Sequence, residues 1–242
     1  MVLSRERAIE AITGHSRSIA AAAPGHLRTR VQHCPQWNVG DLVWHVTEVH
    51  WFWRTVAGEA LDAPPPEIRR PVRPPEDELL DTFLLGLDAL TNVLLTADPA
   101  TPCWTWYPPQ QEVAFVIRHQ VQEAVVHHFD AAFAAGQQVA IAPDVALDSV
   151  EEFLTVSLAD AEDAARTSVE LGDELSLHAT DVDRAWTVRQ DDDGALVWEP
   201  GASDPTVSGT AAQLLLWLYH RVDLPVSKPN LVSRFRKLSS TD

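Results

Sequence analysis

Positive charge is scarce in this chain. Lysine and arginine together number 18 against 35 aspartates and glutamates, a formal net charge of −17 at pH 7, and only Lys228 and Lys237 are lysines. A chain this short of cations lacks the basic groove of a nucleic-acid binder and the basic face that grips an anionic membrane. Cysteine is nearly missing as well. Cys34 and Cys103 are the whole complement, too few for a disulfide framework and suited to a reducing cytoplasm. No run approaches the ~18 uncharged apolar residues of a bilayer span. The N-terminal stretch MVLSRERAIEAITGH is charged throughout and has no apolar signal core. These absences predict a cytoplasmic protein that engages neither nucleic acid nor membrane.

What remains is an ordinary globular composition, 45% hydrophobic and 22% charged over 242 residues, enough for one large domain or two small ones. Helical spacing comes first. Ser4 is placed to cap a helix over 4–23, and Asn38, with Asp41 in the first turn, to cap VGDLVWHVTEVHWFWRTVAGE. Six prolines between Asp62 and Pro75 exclude any regular element there. Leucines at 79, 80, 84, 87, 90 and 94, with Phe83, mark one face of a helix over 76–97. Further helices are expected at about 111–135 and 147–165. Helices with short links suggest an up-and-down bundle.

Near Thr167 the period falls from 3.6 to 2. ELSLHATD, AWTVRQ and ALVWEP alternate like strands, DDDG is a hairpin-turn signal, and Thr206–Ser208 is a further short strand. GTAAQLLLWLYHR returns to helical spacing, and LVSRFRKL adds a short last helix. The expected fold class is α+β: a helical domain over 1–166 and a small α/β domain over 167–242.

The chemistry concentrates in RHQVQEAVVHHFDAA, residues 118–132. Glu123 and His127 are one turn apart on one helical face. Such a pair can hold a metal ion or simply share a hydrogen bond. His119 lies on the same face but about 12 Å along the axis from His127, and His128 points about 100° away. A third ligand must therefore come from another helix. His45, mid-helix among Leu42, Trp44, Val46 and Val49, is a candidate in an antiparallel packing, although a core histidine with one hydrogen bond fits the spacing equally. His50 is turned about 140° from His45, so the two do not face one ion.

Three stretches together resemble the mycothiol-dependent maleylpyruvate isomerase family, whose helical part is DinB-like. CPQWNVGDLVWHV is similar to its Cys-Pro-x-Trp-x-Val-x-Asp-Leu-x-x-His signature, with Cys34, Pro35, Trp37, Asp41, Leu42 and His45. Arg118, Glu123, His127 and Asp130 match its Arg-x4-Glu-x3-His-x2-Asp segment. Gly209, Thr210, Trp217 and Arg221 match the helix of its C-terminal domain. Departures stand at Gln36, Asn38, His128 and His220, where glycine, threonine, arginine and glycine are usual.

The resemblance implies a DinB-like four-helix bundle with a sterol-carrier-like C-terminal domain. It implies a divalent metal, zinc being the expected ion, on His45, Glu123 and His127, with one position open. It also implies mycothiol as thiol cofactor: the thiolate adds to an activated double bond, permits rotation and is expelled, or is transferred to a small electrophilic substrate. Arg221 would hold a substrate or cofactor anion, against the plainer reading of a cation at a helix C-terminus. Asp130 would orient a ligand histidine, or be a solvated helix carboxylate. Trp104 and Trp106, in a proline-bounded loop, would line a cleft mouth, while Trp44, Trp51 and Trp53 suit core and wall. Cys34 reads as a packed thiol with no base aimed at it. Two other functions stay open: a non-catalytic bundle that binds a small molecule or a protein and retains the metal site, and metal-assisted hydrolysis without a thiol. The sequence does not indicate an oligomeric state.

Overall fold

Capping decides where the helices start. In a computed structural model that describes residues 3–158, 169–202 and 204–239, the Ser4 hydroxyl accepts from the Arg7 amide and opens α1, Arg5–Ala22. Asn38 and Asp41 form a reciprocal capping box at the start of α2, Val39–Glu59. Each satisfies an amide that the first turn would otherwise leave bare. α3, Leu79–Thr96, and α4, Val113–Ala134, complete the bundle. Ile19, Leu42, Val43, Val46, Phe83 and Ala131, from all four helices, are fully shielded from solvent at one end of its core.

The four helices do not simply alternate in direction. His50 of α2 meets Phe83 of α3 at 5.3 Å between ring centroids. Further along both helices, a Cβ on Gly58 would touch Val93 at 3.3 Å. α2 and α3 are therefore parallel. α1 runs against α3, since Arg5 donates to Leu94 and Ala97 carbonyls while Arg17 pairs with Asp88. The order is up-down-down-up, which corrects strict up-and-down alternation.

The proline-rich segment after α2 explains the difference. Arg69 pairs with Glu59, Arg70 with Glu48 and Arg73 with Asp41. The segment thus runs back along α2 from its last turn to its first, held by three exposed ion pairs of modest individual worth. α3 then starts beside the start of α2. Contrary to the expectation of no regular element, one 3-10 turn forms at Glu67–Arg69; on either side of it the prolines keep the strap extended enough to cover the length of a helix.

α3 is long and apolar enough to cross a membrane by length and composition, although Asp81 and Asp88 keep it from being an uncharged run. Here its apolar face packs on α1 and α2.

Residues 141–242 form a second compact unit. α5, Pro143–Glu152, passes into one π-helical turn, Phe153–Ser157, and packs against α6. Residues 159–168, which include the end of the helix expected up to 165, lie outside the described part. The division at 140/141 differs from the change of period at 166 because an amphipathic helix does not announce which core it joins.

The sheet order is β3-β2-β1-β4, with β1 Leu175–Ala179, β2 Arg184–Gln190, β3 Leu196–Pro200 and β4 Val207–Gly209. β1 pairs antiparallel with β2 and parallel with β4. The DDDG turn between β2 and β3 closes with Gly194 at φ +87°.

α6, Ala211–Leu218, starts at a Thr210–Gln213 capping box. At its end the His220 amide donates to Trp217 and the Arg221 amide to Leu216, with His220 at φ +59°. This is a Schellman stop with histidine in the left-handed position that glycine favours, so the departure at 220 carries backbone strain. α7, Pro229–Leu238, stacks Phe235 on Trp217.

Candidate metal centre

The antiparallel packing of α2 on α4 sets the site. It brings His45 to the level of Glu123 and His127, so that one donor atom from each lies within 4.8 Å of the others. Glu123 Oε1 is 3.1 Å from His45 Nε2 and 3.3 Å from His127 Nε2. His45 is the most open of the three, with its side chain 33% exposed against 16% for Glu123 and 11% for His127. The site therefore has a wet side and a dry side.

Burial alone would raise the pKa of Glu123, but His127 and then His45 outweigh it and hold the carboxylate well below its usual range. Burial would likewise discharge His127, yet Glu123 and Asp130 raise it to about 9. Without a cation the centre is a carboxylate paired with an imidazolium. A divalent ion would take the place of that proton.

Asp130, one turn after His127, has a side chain with no exposed surface. Its Oδ2 is 3.2 Å from His127 Nδ1. Its Oδ1 is 3.4 Å from His33 Nδ1, close enough for a charge pair but without hydrogen-bond geometry. The Cys34 thiol donates to Asp130 Oδ2 at 3.9 Å. A base does face Cys34, then, contrary to the expectation, and it is a carboxylate from 96 residues away. With Nδ1–H of His127 held by Asp130, loss of the second proton would free the Nε2 lone pair, on the side of Glu123, for a cation. Two imidazole nitrogens and one carboxylate oxygen, with a carboxylate behind one imidazole, suit a catalytic divalent site. Trp37 covers the centre, its ring 4.7 Å from that of His45 and 6.3 Å from that of His127.

The other polar residues of the motifs go elsewhere. His119 stands among Trp53, Trp106 and Phe115. His128 shares a 2.9 Å Nδ1–Nδ1 contact with His15 of α1. His50 is 1% exposed against Phe83, and burial holds its pKa at about 4. Trp104 stacks on Trp53, and Trp106 packs on Phe115 and Tyr107. Arg221 belongs to the second unit, where its guanidinium donates to the Tyr219 carbonyl at 2.7 Å. His33 and the His15–His128 pair were not legible in the sequence. Trp37 was visible as a motif residue, though nothing in its spacing assigned it to the centre.

Residues 9–132 match the family model described as the mycothiol maleylpyruvate isomerase N-terminal domain, and residues 144–231 match the one described as the MDMPI C-terminal domain. No curated protein matches the chain, nor does any solved structure.

Proposed function

The chain belongs to the mycothiol maleylpyruvate isomerase family, and from that membership and the His45–Glu123–His127 centre we propose a metal-dependent, thiol-using enzyme. The reaction is a maleylpyruvate isomerase-like isomerisation, or transfer of the thiol to a small electrophile. The convergence of two imidazoles on one carboxylate oxygen carries the reading. His45, Glu123 and His127 hold the ion, with zinc favoured by the nitrogen-rich donor set. When bound, the ion supplies the charge that ionises a thiol of pKa about 8.5 at neutral pH.

Each protein group has its own part. Asp130 fixes the His127 tautomer, so that Nε2 is the free donor. Trp37 keeps water from one side of the centre. Trp104 and Trp106 line the path of the substrate or cofactor, and Arg221 holds an anionic group. Cys34 and Cys103 form no disulfide, which suits the cytoplasm. The test is turnover of maleylpyruvate by metal-replete protein with and without mycothiol. Thiol-dependent turnover that disappears in His127→Ala supports the assignment. Turnover indifferent to thiol would turn the reading toward metal-assisted hydrolysis.

A further inference from the structure

Rings crowd the bundle next to the centre. His119 precedes Glu123 by four residues, about 6 Å of helix rise on the same face. Around it stand Trp53 at 5.8 Å, Trp106 at 5.6 Å and Phe115, stacked at 5.5 Å with a 17° tilt. Trp104 stacks on Trp53 at 6.2 Å. The cluster is graded in depth. Trp53 and Phe115 are buried at 5% and 2% exposure, while Trp104, Trp106 and His119 are half-buried. A sealed core would close over its outer rings. This one has a buried floor and an accessible rim.

The rim is also held rigid. Trp104 and Trp106 flank Thr105, which is itself 3% exposed. The Thr105 hydroxyl lies 3.0 Å from the Tyr107 carbonyl and 2.9 Å from that of Gln110. The Gln111 amide donates to the Thr105 carbonyl at 2.7 Å and accepts from the Thr105 amide at 3.2 Å. The Trp104 amide is bound to the Leu61 carbonyl just beyond α2. A loop that only covered a core would not need both tryptophans fixed this closely. Pre-ordered aromatic faces avoid the entropy cost of ordering on binding, and flat rings recognise flat rings.

We propose that Trp53, Trp104, Trp106 and His119 form the specificity wall of the electrophile site, and that it favours substrates bearing a planar aromatic or conjugated group, rings most strongly. The chemistry of those substrates rests on the thiol-enzyme reading, whereas the ring preference is a property of the wall.

The probes are two thioethers of N-acetylcysteine, S-benzyl and S-propyl, titrated calorimetrically into metal-replete protein, with mycothiol titrated separately. The benzyl thioether should bind about tenfold tighter than the propyl, the scale of one good ring contact. Trp106→Ala and, as a milder change, Trp106→Leu should erase most of that preference while metal content stays at wild-type level. Equal affinity for the two probes, or a preference untouched in a folded, metal-replete Trp106 variant, would overturn the inference. Mycothiol binding with no binding of either thioether would also overturn it and would leave the enzyme reading standing. A benzyl preference without mycothiol binding would uphold the wall and remove the thiol reading.

Discussion

Nδ1 of His127 lies 3.2 Å from Oδ2 of Asp130, while Nε2 of the same ring lies 3.3 Å from Oε1 of Glu123. One imidazole thus stands between two carboxylates on a single helix. The inner one is dry, and the outer one is shared with His45. The inner carboxylate orders the ring, and the outer one builds the centre with it.

Asp130→Ala should therefore weaken divalent-metal binding by about 10–100-fold, the usual effect of removing a carboxylate behind a ligand histidine. Competition with a chromophoric chelator measures it. His127→Ala should abolish stoichiometric metal. Unchanged affinity in a folded Asp130→Ala protein would mean that the ring is held by other contacts.

Metal affinity should rise with pH up to about 9, because the cation must displace the proton that Glu123 and Asp130 hold on His127. The metal-free protein shows the converse. A histidine whose folded pKa lies above its unfolded value contributes stability that is complete below pH 6.5 and lost as pH rises through 9. Thermal melts of chelated protein from pH 6 to pH 10 would show that decline, and His127→Ala should flatten it.

Acid should act through different histidines. His50 and His15 have folded pKa values near 4, lowered by burial and, for His15, also by His128 and Arg7. The unfolded chain binds their protons first, so stability falls as pH drops from 6.5 toward 4. The loss for His50 is roughly 3 kcal/mol. In His50→Leu the acid limb should be shallower by about that amount, and an unchanged limb would exclude His50 as its source.

The caps were legible because each is local. Ser4 with Arg7 and Asn38 with Asp41 lie within one turn, and the sequence pattern bounded α2 at Val39 and Glu59 as observed. Glu123 and His127 were legible for the same reason. His45 was legible only as one of two readings, since its partner lies 78 residues away. The parallel course of α2 and α3 was hidden, because periodicity carries no direction and the strap's three arginines find their carboxylates only in the fold. The Cys34–Asp130 contact is likewise a product of tertiary packing.

His220→Gly should stabilise the second unit by about 0.5–1 kcal/mol, by relieving a side chain held at positive φ in the α6 stop. Urea denaturation measures it. A loss of stability would mean that the His220 ring makes contacts worth more than the strain. Arg221→Ala, one residue on, should lower thiol-dependent turnover while leaving metal content intact.

The central claim is an ion on His45, Glu123 and His127 with a position left for a thiol. Calorimetric titration of metal-replete protein with mycothiol, repeated in buffers of different ionisation enthalpy, tests it most directly. The account predicts one site per chain, release of about one proton as the thiol ionises, and loss of both signals after chelation or in His127→Ala. Binding without proton release, or binding that survives removal of the metal, would contradict it.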